Sequence, residues 1–228
     1  DLMTFYADKD ISALLLINPD NPSGNYIKKE DILKIASWAE NRNIVFIVDE
    51  SFVDFADEEN SSLLDEEVLK AYPNLIVVKS ISKSFGVPGL RLGILASYDK
   101  DMIDFLKKDV AIWNINSFGE FYLQIFEKYK KDYEEAMKKF KDIRRDYIEK
   151  LSSIKNLRVI PSQANFVMCE VLGGLTAKEL TERLLDEFDL LIKDLSAKNG
   201  FNGEYIRVAV KRPEENEKLI RALKMVLE

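Results

Sequence analysis

The chain has 228 residues, 46% of them hydrophobic, and a net charge of -7 that comes from interspersed lysines and glutamates. That is enough apolar material for one large domain or two modest ones, and the charge balance argues against nucleic acid and for a small-molecule partner. There is no histidine, which removes Ser-His-Asp and Cys-His catalysis and every histidine metal site, so acid-base work falls to lysine, tyrosine, a carboxylate or a cofactor.

In chain order, ALLLI at 13–17 reads as a strand buried on both faces. KKEDILKIASWAENR at 28–42 places Ile32, Ile35, Ala36 and Ala39 at helical spacing. NIVFIV at 43–48 is a second strand and LIVVKS at 75–80 a third, with the helix-like LLDEEVLKAY between them. Strands alternating with helices imply right-handed crossovers and a parallel sheet. Only a short glycine-rich loop separates LIVVKS from RLGILA at 91–96, so this fourth strand is expected to run antiparallel.

A helix over 99–110 and the loop WNINS follow, then a long helical region to Leu151 whose charges form a solvated face. The tail reads as a small α/β unit: strands LRVI and ANFVMCEV, helix TAKELTERLLDEF, strands LLIKDL and YIRVAV, and helix PEENEKLIRALKMVLE. A boundary is expected near residue 125. The lone Cys169 lies in the apolar run NFVMCEV and reads as a buried hydrophobe, compatible with a reducing cytoplasm. No apolar run approaches the roughly 20 residues of a membrane span, and the start does not resemble a signal peptide, so a soluble cytoplasmic protein is expected.

Each of the three parallel strands ends in a polar signature: NPDNPSG after the first, Asp49-Glu50 after the second, and Ser80 to Lys83 after the third. Ligands of open α/β sheets bind outside the carboxyl ends of the strands, so Asn21, Asp49 and Lys83 are expected to converge on one crevice. Each has a bland reading, as turn, helix cap and solvated lysine, but their joint occurrence favours a site. An Asp, an Asn and a Lys around one planar ligand suit pyridoxal 5'-phosphate. The lysine forms a Schiff base with the aldehyde, the carboxylate keeps the pyridine nitrogen protonated, and the amide holds the ring oxygen. Neighbouring hydroxyls and an arginine suit the phosphate.

NPDNPSG, VDESFVDF, SISKSFGVPGLRLG and YIRVAV, in that order, resemble the class I/II aminotransferases of pyridoxal-phosphate fold type I, in particular histidinol-phosphate aminotransferases and threonine-phosphate decarboxylases. The resemblance implies an α/β fold in which 1–125 is the C-terminal portion of the cofactor-binding large domain, with a mostly parallel sheet. Residues 126–228 would be a small α/β domain with its linking helix. It implies Lys83 as the catalytic Schiff-base lysine, with Asn21, Asp49, Ser80, Ser82 and Arg91 binding the cofactor and no metal. On the substrate side it implies Arg207 at the carboxylate, with Lys193 and Asn116 as further candidates.

Two positions depart from the pattern. Phe52 stands where the family often has a tyrosine touching the ring oxygen, and Lys193 stands where relatives with phosphorylated substrates have an arginine, leaving a point charge without the guanidinium fork. Family members are also longer. Before NPDNPSG they carry a phosphate-binding turn, a stacking aromatic and an N-terminal arm. The chain is therefore expected to be the C-terminal part of a larger homodimeric protein, with weak or absent catalysis by itself and exposed sheet edges that drive dimerisation, aggregation or pairing with the remainder. The first functional expectation is transamination from an amino acid, phosphorylated or phosphonate-bearing, to a 2-oxo acid. The second is decarboxylation of a phosphoamino acid, and the third a non-catalytic sensing or interaction domain, against which stands the intact set Lys83, Asp49, Asn21 and Arg91.

Overall fold

The structure, a computed structural model, describes residues 1–228. Its elements in chain order are α1 (Leu2–Tyr6), β1 (Ala13–Ile17), α2 (Lys29–Glu40), β2 (Val45–Asp49), α3 (Glu66–Ala71), β3 (Leu75–Ser80), β4 (Gly93–Ser97), α4 (Lys100–Lys107), α5 (Ser117–Phe126), α6 (Lys130–Ser152), β5 (Leu157–Ile160), β6 (Phe166–Val171), α7 (Ala177–Phe188), β7 (Lys193–Asp194), β8 (Glu204–Ala209) and α8 (Pro213–Leu227). They form two units. The first comprises residues 1–19 and 26–137, the second residues 20–25 and 138–228. The expected boundary near 125 lies inside α5, whereas the units divide within α6.

In the first unit the strands are ordered β1-β2-β3-β4, the first three parallel and the fourth antiparallel to β3. Helix α2 forms because Ile32, Ile35, Ala36 and Ala39 fall on one buried stripe and Glu30 and Asp31 complement the dipole of its first turn. That stripe packs with Leu14, Phe46, Val48, Leu75 and Val77 in one core. The strands were expected to be buried on both faces. β1, β2 and β3 instead alternate: Leu14, Phe46, Val48, Leu75 and Val77 are buried, while Leu15 is 61% exposed and Val45 is also open. Helices α1, α2 and α3 cover the face carrying Phe46 and Val48, and period-two pleating turns the intervening residues the other way.

That alternation sorts the residues at the strand ends. Glu50 continues the core-side series of Phe46 and Val48 and is 1% exposed. Asp49 pairs with Val78 in register and so shares the opposite face with Ser80.

The second unit is an antiparallel sheet, β5-β6-β8-β7. Val167, Cys169, Val171, Ile206 and Val208 point to one face and are buried with Tyr147 and Leu151 of α6, Leu180 and Leu184 of α7, and Leu219 and Leu223 of α8. The thiol of Cys169 is free, and burial pushes its pKa up to about 12, as expected of an inert core cysteine. Of the expected strand LLIKDL only Lys193–Asp194 pairs. No helix is long and apolar enough to cross a membrane.

Candidate functional site

In the first unit the site is built on the carboxyl ends of β2 and β3. The carboxylate of Asp49 is half-buried and accepts the Ser51 N–H at 2.8 Å, while the Ser51 hydroxyl accepts the Ser80 N–H at 3.0 Å. These two bonds tie the end of β2 to the end of β3. Beyond Ser80 the chain makes a tight turn, in which the Phe85 N–H donates to the Ile81 carbonyl at 3.2 Å and the Gly86 N–H to the Lys83 carbonyl at 3.3 Å. Lys83 stands exposed on this turn, its Nζ 5.9 Å from the centroid of the buried Phe52 ring.

Ser82 and Arg91, the further phosphate candidates, differ in their surroundings. The Ser82 hydroxyl is buried and donates to the Leu92 carbonyl at 3.5 Å. Arg91 is exposed, has left-handed backbone with φ of 56°, and donates to the Pro88 carbonyl at 3.2 Å. Asn116 is engaged at both ends of its amide, accepting the Gly119 N–H at 2.9 Å as the N-cap of α5 and donating to the Leu90 carbonyl at 3.0 Å. Its geometry is that of a helix cap.

The second unit holds the other candidates. Residues 20–25 belong to it: Asp20 accepts the Ser23 hydroxyl at 2.5 Å, and the Gly24 carbonyl accepts the Gln163 N–H at 2.8 Å. Gly24 is required here. Its φ is +73°, and a Cβ would lie 2.0 Å from Ser162 Oγ. This turn presents Asn21, whose Oδ1 accepts from Arg207 Nη1 at 2.5 Å. Arg207 also lies over the Phe166 ring at 4.8 Å, and burial lowers its pKa from the usual arginine value. Lys193 is directly opposite Arg207 across β7 and β8, so both cations project from one face of the sheet. Thus Asp49, Ser80 and Lys83 are gathered in the first unit, and Asn21, Arg207 and Lys193 in the second.

The donor set of the first unit fits pyridoxal phosphate. It combines an exposed primary amine at Lys83, a half-buried carboxylate at Asp49 on the face it shares with Ser80, and a guanidinium at Arg91. Phe52 contributes no phenol.

Sequence reasoning missed a polar cluster beside Lys83. Lys79 Nζ donates to Asp54 Oδ1 at 2.5 Å, and the Ser84 hydroxyl donates to Asp54 Oδ2 at 2.6 Å. Burial, and then the charge of Asp54, push the Tyr133 phenol above its ordinary pKa. The one available signal was Lys79 itself, a charge inside the apolar strand LIVVKS with the periodicity of buried Leu75 and Val77.

Comparison with known proteins is consistent with this geometry. The family model described as aminotransferase class I and II matches residues 3–223. The chain is 38% identical to an L-serine phosphate decarboxylase of Sulfurospirillum multivorans, over 98% of this chain and 57% of that protein. It is 32% identical to an L-serine phosphate decarboxylase of Campylobacter jejuni, over 97% of this chain and 57% of that one. Among solved structures it superposes on a histidinol-phosphate aminotransferase of Clostridium acetobutylicum with a TM-score of 0.89 and 31% identity, covering 98% of this chain and 66% of the other. The chain thus spans 57% of the length of each of these two curated relatives.

Proposed function

The chain belongs to the aminotransferase class I and II family and has the fold of the type I pyridoxal-phosphate enzymes, and from that premise we propose that the protein is a decarboxylase of an O-phosphorylated amino acid. The identities to L-serine phosphate decarboxylases, 38% and 32%, support loss of the carboxyl group over transamination, which the sequence by itself put first. The observation that carries the substrate class is the cation pair of the second unit. Arg207 and Lys193 are cross-strand neighbours with no carboxylate bonded to either. Like charges at directly opposed positions repel, so the arrangement suits an anionic ligand between them. An amino acid bearing both a carboxylate and a phosphate is such a ligand.

When bound, pyridoxal phosphate supplies an aldehyde that condenses with amines and a ring that takes up the electron pair left when a bond at the α-carbon breaks. Lys83 would hold it through its amine, and Asp49 would keep the ring nitrogen protonated. Ser80 and Arg91 are the candidates for its phosphate, while the Ser82 hydroxyl stays with Leu92. With Phe52 in place of a phenol, no ring-oxygen donor comes from that position. Lys83, as its ammonium, would donate a proton to the carbon from which the carboxyl group leaves as carbon dioxide. Asn21 fixes the guanidinium of Arg207, which with Lys193 takes the anionic groups of the substrate. We read the whole protein as a cytoplasmic homodimer, supported by the free, buried thiol of Cys169 and by exposed apolar side chains such as Trp113 and Phe118.

The test is product analysis after incubation with pyridoxal phosphate and O-phospho-L-serine or O-phospho-L-threonine. The expected products are carbon dioxide and an amine that retains the phosphate, formed without a 2-oxo acid. Recovery of the substrate as a 2-oxo acid, in an acceptor-dependent reaction, would establish the aminotransferase instead. That second reading has its own support in the 31% identity to a histidinol-phosphate aminotransferase.

A further inference from the structure

Asp54 lies on the short 3-10 turn Val53–Phe55 that follows β2. Its two carboxylate oxygens serve two different segments. Oδ1 pairs with Lys79, upstream of Lys83 on β3, and Oδ2 accepts the hydroxyl of Ser84, the residue immediately after Lys83. One carboxylate therefore grips both flanks of the turn that carries the lysine. We infer that Asp54, with Ser84 and Tyr133, is a positioning assembly for the amine of Lys83, an inference that rests on reading Lys83 as the cofactor-binding lysine.

Three observations support a positioning role over simple surface pairing. First, the ion pair is secluded, the side chains of Lys79 and Asp54 being only 9% and 19% exposed, so it is screened little by solvent and resists exchange with water. Second, the far side of the turn is held as well. The Phe85 ring stacks on Tyr133 at 4.7 Å, and the Tyr122 hydroxyl donates to the Phe85 carbonyl at 3.4 Å. Third, Lys83 itself lies between these anchored residues, exposed and with no carboxylate bonded to it. A lysine side chain has several free torsions, and condensation requires its nitrogen to meet the aldehyde from a narrow range of directions. Fixing the backbone on both sides removes part of the search that would otherwise slow bond formation.

The Ser84→Ala variant removes the downstream grip and leaves the ion pair intact. The experiment mixes the protein with pyridoxal phosphate, traps adducts with borohydride at timed intervals and maps them by peptide analysis. Thermal unfolding of each variant is followed in parallel. The expected result is that labelling of Lys83 by Ser84→Ala slows about tenfold, the scale of one hydrogen bond to a charged group, at a temperature where every variant remains folded, and that Ser84→Thr restores the rate. A second variant, Asp54→Asn with Lys79→Met, removes both charges together, so that no buried ion is left alone; it is expected to fold and to label slowly too. Ser84→Ala labelling within twofold of the unaltered protein, or equal slowing in Ser84→Thr, overturns the inference. If the unaltered protein labels elsewhere than Lys83, the cofactor reading fails, and the inference falls with it.

Discussion

At the residue scale, neighbouring carboxylates at the end of β2 are given different chemistry by the pleat alone. Asp49 faces away from the core and is half-buried, whereas Glu50 faces inward. Burial raises the pKa of Glu50 above its ordinary 4.5, against the Ser62 hydroxyl, the Leu63 N–H and the charge of Lys79, which lower it. Both oxygens of Glu50 are occupied, by Ser62 and Leu63, each at 2.6 Å. Because its folded-state pKa is raised, the native protein binds this proton more tightly than the unfolded chain does. The stability contributed by protonation is therefore fully present below about pH 4.5 and is lost as pH rises through the raised value. In Glu50→Gln the amide can serve both partners without a charge. Urea unfolding at several pH values should show the free-energy difference, unaltered protein minus Glu50→Gln, rising as pH falls from 7 toward 5. A difference that falls over that range would mean that the ionised form is the one the fold favours.

At the element scale, helices α2 to α8 and the antiparallel turn of β4 were legible because each rests on local spacing, as in the stripe of α2 and the short glycine-rich loop before β4, whereas α1 was not. What was not legible depends on neighbours. β1 looks like a fully buried strand in ALLLI, yet only Leu14 is buried and Leu16 packs beside it, since exposure of Leu15 depends on which face the helices cover. β7 contracts to Lys193–Asp194, and the preceding Leu190 and Ile192 pack on the core cluster of the second unit without pairing. The resemblance points Asn116 toward the substrate, and its side chain caps α5. A cap makes a distinct prediction. Asn116→Ala should lower the unfolding free energy by about 1 kcal/mol, and Asn116→Asp, which keeps an acceptor at the helix N-terminus, should recover most of it. Loss of substrate affinity with unaltered stability in both variants would instead return Asn116 to the substrate side.

At the scale of the whole molecule, the candidate site was legible as residues and illegible as contacts. The motifs named Lys83, Asp49, Asn21 and Arg207, but the bond from Arg207 to Asn21 spans most of the sequence, and the shared grip of Asp54 on Lys79 and Ser84 joins two separate motifs. Nothing in local spacing records such long-range bonds. The same chain carries two hydrophobic clusters with no residue in common, one built on Phe46, Val48, Leu75 and Val77, the other on Leu180, Leu184, Ile206 and Val208. Each cluster has its own sheet and its own covering helices, so each can open without unmaking the other's contacts. Leu184 is completely buried, and Leu184→Ala removes several methylene equivalents and leaves a cavity, a loss of about 2–5 kcal/mol. Native-state hydrogen exchange should report that loss at the amides of β6 and β8, while the amides of β2 and β3 keep their protection. Equal loss of protection in all four strands would show one cooperative unit where the separate cores imply two.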